Sequence, residues 1–419
     1  MYLYNTMSRQ KEQFVPGDGP IKVYVCGITP YDTTHLGHLF TYSTYDVLIR
    51  YLEYTGCSTL YAQNVTDIDD DILKRARELD EDWQTLGNRW TVHFIEDNQA
   101  LNLRPPNHYP RATDVIEGIV ESVEALLTSG VAYQSNGSVY YHLDADEEYG
   151  KLSQLPRHEM LPIANERGNF PDDPKKRDPL DFVLWQAQAA NEPAWNSPWG
   201  LGRPGWHIEC STMSAKFLGT PVDIHGGGAD LIFPHHECEI AQAESATGQK
   251  PFVRLWMHVA MLSYQGQKMS KSLGNLVMVR DLLESGWEPD VLRLCMARRH
   301  YRTEWEYRDS DLEEADAIIE QLRGAVKAES DSGAELDIST FIEEFQSAMD
   351  DDLNTPEAVL VLIALAKEIL ARADTKDVAN AQGVLRELSS IMGMRLDAVG
   401  PEESVTAGWN EHRKRFVFG

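Results

Sequence analysis

Lys22-Val23-Tyr24-Val25-Cys26-Gly27-Ile28-Thr29-Pro30-Tyr31-Asp32-Thr33-Thr34-His35-Leu36-Gly37-His38 joins two different hydrophobic patterns. Lys22 to Cys26 is a short apolar run that ends at Gly27, as a buried strand does. Thr41 to Tyr54 carries aliphatic and aromatic residues at helical spacing. Strand, loop and helix in that order open an α/β unit. A second strand signal, Thr59 to Ala62, follows one helix length later, with Asn64-Val65-Thr66-Asp67-Ile68-Asp69-Asp70-Asp71 at its carboxyl end. Ligands of open parallel sheets bind at that edge, which makes Thr66 and Asp67 site candidates, although acidic loops also serve as helix caps.

Working outward, residues 1–101 form the first half of an α/β domain, and the pattern then changes. Between 102 and 202 come an amphipathic stretch from Val115 to Leu127, a hairpin-like Val139-Tyr140-Tyr141 and a loop rich in Pro, Asp and Lys from Asn169 to Asp178. This segment reads as an insertion. The α/β pattern resumes over 203–280, through Val222-Asp223-Ile224 and Leu255 to Leu262. Residues 281–419 read as almost wholly helical: Glu313 to Val326, Ile338 to Met349, Thr355 to Ala373 and Val378 to Met392 predict a bundle, with Thr355-Pro356 as a helix start. Only about 65 residues follow Asn354.

Composition bounds the function. The 419 residues are 42% apolar and 25% charged, an ordinary globular balance with room for several cores. The longest apolar run, Ala358 to Ala366, is half the roughly 18 residues a membrane span requires, and the amino-terminal residues lack the apolar core of a secretory signal. A cytoplasmic protein without a membrane partner is expected. Sixty-six acidic against 38 basic residues give a net charge of −28, which weakens attraction to phosphate backbones and requires a local basic patch for any nucleic-acid partner. The candidates are Arg298-Arg299-His300-Tyr301-Arg302, Lys175-Lys176-Arg177 and His412-Arg413-Lys414-Arg415, each of which reads equally as solvated surface charge. Five scattered cysteines exclude a disulfide framework and leave thiols or metal ligands.

Chemistry concentrates in three places. In His35-Leu36-Gly37-His38, two imidazoles flank a glycine where a helix begins, so ring donors and helix amides can converge on phosphate; a packed histidine pair is the alternative. Lys268-Met269-Ser270-Lys271-Ser272 sets two ammonium groups three residues apart among hydroxyls, either a triphosphate clamp or a solvated turn. The chain has no Gly-x-x-x-x-Gly-Lys-Ser/Thr loop, so a nucleotide would have to be held another way. In this order, the two motifs resemble the paired signatures of class I aminoacyl-tRNA synthetases. The resemblance implies that His35 and His38 contact ATP phosphates and that the loop of Lys268 and Lys271 closes over the departing pyrophosphate, stabilising charge on bridging and leaving oxygens.

The third place is Gly205-Trp206-His207-Ile208-Glu209-Cys210 with Phe233-Pro234-His235-His236-Glu237-Cys238-Glu239, where His235 and Glu239 share a helical face. With Cys26, thiol, imidazole and carboxylate groups suffice for a four-ligand zinc site and suit zinc better than magnesium or calcium. His236-Glu237-x-x-Ile240 fails the His-Glu-x-x-His pattern of zinc proteases. Together with Asp223-Ile224-His225-Gly226-Gly227-Gly228, the constellation resembles the cysteinyl-tRNA synthetase family from about Tyr2 to about Ala373. The resemblance implies a Rossmann-like α/β domain with an insertion and a following helical bundle. It also implies zinc on Cys26, Cys210, His235 and Glu239; substrate contacts at Gly27, Thr66 and Trp206; and ATP contacts at Thr33, His35, Gly37, His38, Gly228, Asp230 and Lys271.

The implied reaction uses L-cysteine and ATP with Mg2+. Cysteine carboxylate attacks the α-phosphate, giving cysteinyl-adenylate, and the acyl group passes to the 3′ end of tRNA(Cys). Ile28-Thr29-Pro30 and His35-Leu36-Gly37-His38 depart from the usual pattern of that family and look more like the mycothiol-pathway cysteine ligase, whose acceptor is a small amine, that of glucosaminyl-inositol. A catalytically silent binding module is the remaining class. Cys238 stands where Asn is common and reads as a bystander or a substitute ligand.

Overall fold

Side-chain alternation along four parallel strands decides where the chemistry lies. The computed structural model describes every residue except Asp32, Ser270, Lys271, Ser272, Ala398, Val399 and the last two, and describes Lys268 by its backbone alone. In the central sheet the strands run in the order Val253–Val259, Val222–Gly228, Ile21–Ile28, Thr59–Val65, all parallel. Tyr24 lies opposite both Ala62 and His225, and His225 opposite Trp256. Because neighbouring side chains on a strand point to opposite faces, Tyr24, Cys26, His225 and Trp256 share one face. Val23, Val25, Ile224, Leu255 and Met257 share the other.

The second face is wholly apolar and packs with the helix Leu36–Tyr54, through Leu39, Phe40 and Leu48, into one core. The first face is covered by the helices Trp206–Leu218 and Glu237–Thr247, which contribute Ile208, Met213, Ile240 and Ala241 to a second core. Covering both faces is what makes these strands read as near-continuous apolar runs. The first and third strands in chain order adjoin at the centre, so the crevice outside their carboxyl ends lies between Gly27-Ile28 and Gly227-Gly228.

The stretch expected as an insertion folds an antiparallel sheet in the order Ala132–Ser135, Ser138–Tyr141, Phe182–Ala187, Gly202–Pro204. Its hairpin turns on Asn136-Gly137, both with positive φ, 50° and 79°, as a two-residue turn between twisted strands requires. The helices Asp309–Lys327, Ser339–Asp350, Thr355–Arg372 and Ala379–Ile391 stand where helical spacing put them. Two elements depart from the expectation. Trp305–Tyr307 is a strand, parallel to Leu262–Tyr264, inside a stretch read as helical; its aromatic alternation is stabilised by a partner 43 residues upstream, which local spacing does not reveal. Glu403–Val417 is a further helix that leaves the bundle and lies on 103–109, where Trp409 Nε1 donates to Leu103 O at 2.7 Å and Arg415 Nη1 to Tyr109 O at 3.0 Å. Among the described residues, no helix is long and apolar enough to cross a membrane.

Candidate active site and metal centre

Four elements deliver the donor atoms. Cys26 comes from the sheet face, Cys210 from the helix Trp206–Leu218, and His235 and Glu239 from the kinked turn Ile232–His236 and the helix that follows it. One ligand atom from each lies within 4.8 Å of the others, and all four residues are buried. His235 Nε2 is 3.1 Å and Cys26 Sγ 3.5 Å from Glu239 Oε1, whereas Glu239 Oε2 is buried without a hydrogen bond, His225 Nε2 lying 3.4 Å from it. A buried carboxylate oxygen without a hydrogen bond is costly unless a cation takes it. Two soft thiols, an imidazole and a carboxylate at this spacing fit a tetrahedral zinc ion. Cys26 and Glu239 also form a second set of four with His225 and His236.

The electrostatics divide the donors. Burial pushes the Cys26 thiol and the Glu239 carboxyl up, toward their neutral forms. Burial pushes Cys210 the same way, but its hydrogen bond with Cys26 and the charge of His235 outweigh it and bring this thiol down to about 7. Burial holds His225, His236 and His258 neutral, with His258 lowered to about 3. A hydrogen-bonded chain runs outward from Cys26 Sγ to His236 Nε2 at 3.3 Å, from His236 Nδ1 to His258 Nε2 at 2.7 Å, and from His258 Nδ1 to Thr6 Oγ1 at 2.8 Å. Such outer partners fix ring orientation and tautomer around a metal. His258 is a site residue that the sequence reading passed over; its one signal is a lone polar residue in the apolar run Leu255-Trp256-Met257-His258-Val259.

Beside the cluster opens a cavity of about 1020 Å³, lined by Gly27, Thr29, His38, Trp206, His207 and Asp230 and walled opposite by the inserted sheet. Trp206 stacks on His235 with ring centroids 4.3 Å apart, and His207 Nδ1 lies 2.9 Å from His235 Nδ1. His35 caps the helix Leu36–Tyr54: its Nδ1 accepts from Gly37 N at 3.1 Å and His38 N at 3.3 Å, and the His35 and His38 rings stack at 3.7 Å. The structure shows the packed pair, and it stands at a helix amino terminus. Gly27 must be glycine, since a Cβ there would lie 1.6 Å from Asn64 O.

Other expected residues fall differently. Thr33 is buried beside Thr34, and Gly37 lies in the first turn of the helix. Gly228 ends its strand just before Asp230. Thr66 is buried outside the residues lining the cavity; its N–H donates to Ile28 O at 2.9 Å and its hydroxyl accepts from Asn64 Nδ2 at 3.3 Å. Asp67 turns away to accept from Thr113 N at 3.0 Å and Thr113 Oγ1 at 2.6 Å, the capping role rather than the site role. Cys238 also faces away from the cluster, with its Sγ 3.2 Å from Tyr149 Oη, so it does not substitute for a ligand. Lys268 lies in the short strand Gln267–Lys268, and Lys271 is outside the described residues.

A family model described as the tRNA synthetases class I (C) catalytic domain matches residues 13–317, and one described as a DALR domain matches 344–397. The chain is 43% identical to a cysteine–tRNA ligase of Dehalococcoides mccartyi, over 97% of this chain and 89% of that protein. It is 41% identical to an L-cysteine:1D-myo-inositol 2-amino-2-deoxy-alpha-D-glucopyranoside ligase of Thermomonospora curvata, over 94% of each. Among solved structures it is similar to Mycobacterium tuberculosis methionyl-tRNA synthetase in complex with methionyl-adenylate, with TM-score 0.63, 15% identity, and 95% of this chain and 93% of that chain covered.

Proposed function

The chain belongs to the class I tRNA synthetases whose catalytic-domain model it matches, and from that premise we propose that it is an ATP-dependent ligase that activates L-cysteine as cysteinyl-adenylate and transfers it to the 3′ end of tRNA(Cys). The observation that carries the amino-acid choice is the buried donor set Cys26, Cys210, His235 and Glu239 at the edge of a cavity that also holds His38, Trp206 and Asp230. A zinc ion there supplies selection, by lowering a thiol's pKa below its free value of about 8.5 and holding the thiolate, where serine offers only a neutral hydroxyl. Size alone would separate such substrates by roughly 1 to 3 kcal/mol.

The chain's own residues do the rest by position and charge. Trp206, stacked on His235, lines the cavity beside the donor cluster as the amino-acid contact of this reading. His38, on the cavity wall at the start of the helix Leu36–Tyr54 with His35 stacked on it, is the phosphate-side group in this reading, with Lys268 and Lys271 completing the cation set around the leaving pyrophosphate. Asp230, just past Gly228, is positioned for the nucleotide ribose. No side-chain nucleophile takes part, because the substrate carboxylate attacks the α-phosphate directly. The DALR match, a domain that binds tRNA, supports the nucleic-acid acceptor.

One observation favours a second acceptor, the amine of glucosaminyl-inositol. Two of the three basic stretches are matched by acids from the chain itself: Arg298 with Glu314 at 2.5 Å, Arg299 with Asp311 at 2.7 Å, Arg302 with Asp352 at 2.6 Å, Arg413 with Glu96 at 2.6 Å and Arg415 with Asp114 at 2.5 Å. In a chain of net charge −28, this favours an uncharged or cationic acceptor over a polyphosphate. The test is pyrophosphate exchange into ATP, expected with cysteine and not with serine or alanine, followed by parallel offers of tRNA and glucosaminyl-inositol. Cysteinyl-tRNA as the product upholds the first acceptor and amide formation alone the second. Exchange that ignores the amino acid would remove both.

A further inference from the structure

The two phosphate-handling segments are far apart in sequence but share a backbone seam. His35 and Met278 form an antiparallel bridge, Leu36 N donates to Val277 O at 2.9 Å and Val279 N donates to Thr34 O at 2.9 Å. The residues just before the first histidine are thus paired to those five to seven positions beyond the Lys268 to Ser272 motif. A single carboxylate reaches across this seam. Asp97, on the helix Trp83–Ala100 and only 4% exposed, accepts from Thr34 Oγ1 at 3.0 Å through one oxygen. Its other oxygen accepts from Arg280 Nε at 3.0 Å and Nη2 at 2.9 Å. Arg280 opens the helix Val279–Glu284 and is fixed further by Glu96 Oε2 at 3.2 Å and His93 O at 3.3 Å. Glu96 in turn takes Arg413 of the last helix at 2.6 Å. None of these groups faces the cavity, so their role is not contact with substrate.

We infer that Asp97 and Arg280 are positioning residues that lock the His35-Leu36-Gly37-His38 loop to the segment following the lysine motif, so that the carboxyl-terminal anchor of the lysine loop stays fixed beside the histidines during ATP activation. A buried carboxylate serves because it bonds both sides at once, and the charge-assisted bond to Arg280 is stronger and stiffer than a neutral one. Misplacing donors by about 1 Å costs roughly 100-fold in rate, whereas the metal cluster lies elsewhere on the sheet and is untouched. The inference rests on the proposed adenylation for its kinetic consequence, but the mechanical coupling can be read independently.

The test uses the full chain with Arg280→Gln, Arg280→Lys and Asp97→Asn, Arg280 being one-third exposed and therefore the safer site for folding. Expected for Arg280→Gln is a fall of about tenfold or more in kcat for pyrophosphate exchange with a raised KM for ATP, an unchanged KM for cysteine and unchanged zinc content. Arg280→Lys should recover most of the loss, and Arg280→Gln combined with Asp97→Asn should be no worse than the poorer single variant. In parallel, amide hydrogen exchange over 33–38 and 276–281 should quicken together in Arg280→Gln. Unaltered kinetics with unaltered protection overturn the inference, as do a loss that spreads to cysteine KM and zinc, or quickened exchange in only one of the two segments. Wild-type protein lacking cysteine-dependent exchange would instead refute the proposed function, while the amide measurement still decides the coupling.

Discussion

Asp69 shows how one residue near the cavity carries both structure and a pH signature. It caps the helix Asp70–Leu79, with Ile72 N donating to Oδ1 at 2.8 Å, and takes Thr29 Oγ1 at 3.3 Å. Burial, reinforced by Asp71 and Asp70, pushes its carboxyl up to about 7. A carboxyl raised on folding binds its proton more tightly in the native state, so its stabilising contribution is complete below the unfolded value near 3.8 and is lost as pH rises toward 7. The slope from this one proton approaches about 1.4 kcal/mol per pH unit. Urea unfolding of wild type and Asp69→Asn at several pH values should show the variant's stability falling less across that window; parallel curves would contradict the assignment. At this scale the sequence was most legible where chemistry demands particular atoms. Cys26, Cys210, His235 and Glu239 come from three stretches that span residues 26–239, yet their types in these motifs pointed to one site, and the structure brings them within 4.8 Å. Direction was the illegible part. Asp67 and Thr66 adjoin in the chain, but only the tertiary position of Thr113 tells that the first is a cap, and Tyr149 likewise turns Cys238 away.

At the scale of elements, the catalytic sheet and the helical bundle are joined through a buried charge cluster. Asp46 on the helix Leu36–Tyr54 accepts from Arg50 Nε at 2.9 Å, Arg293 Nη2 at 2.5 Å and Arg104 N at 2.8 Å. Arg50 continues to Glu402 at 2.8 Å, and Arg293 Nε donates to Met392 O at 3.0 Å. Burial works against the Asp46 charge, but Arg50 and Arg293 outweigh it and hold the carboxyl below its usual range. Removing one partner strands buried cations, at a cost of about 3 to 5 kcal/mol. Asp46→Asn should lower unfolding free energy by that order near neutral pH. Because a lowered carboxyl contributes stability only while ionised, the gap between wild type and variant should close as acid titrates Asp46. A gap under about 1 kcal/mol at pH 7, below the range expected for a broken buried pair, would contradict this reading of the joint. Helical spacing found the four bundle helices because their apolar faces are local patterns. It missed the strand Trp305–Tyr307 and gave no place for the helix Glu403–Val417, because their partners, Leu262–Tyr264 and 103–109, are remote in sequence.

Across the whole molecule, one sheet sorts two tasks. Its apolar face binds the helix that carries His38 at its start, and its polar face gathers donors onto Cys26. The order of strand, loop and helix was legible where Gly27 follows an apolar run, whereas the division of faces and the depth of the histidine network, through His258 to Thr6, were not, since they depend on strand register. The account stands or falls on a metal held by Cys26, Cys210, His235 and Glu239 and open to a substrate thiolate. Cobalt(II) exchanged into the site reports this directly, because thiolate ligation gives near-ultraviolet charge-transfer absorption beside the visible bands of a tetrahedral ion. Adding L-cysteine should strengthen the charge-transfer band, L-serine should leave it unchanged, and Cys210→Ser should abolish retention of the metal. A spectrum indifferent to cysteine, or a fully loaded Cys210→Ser protein, would contradict the account.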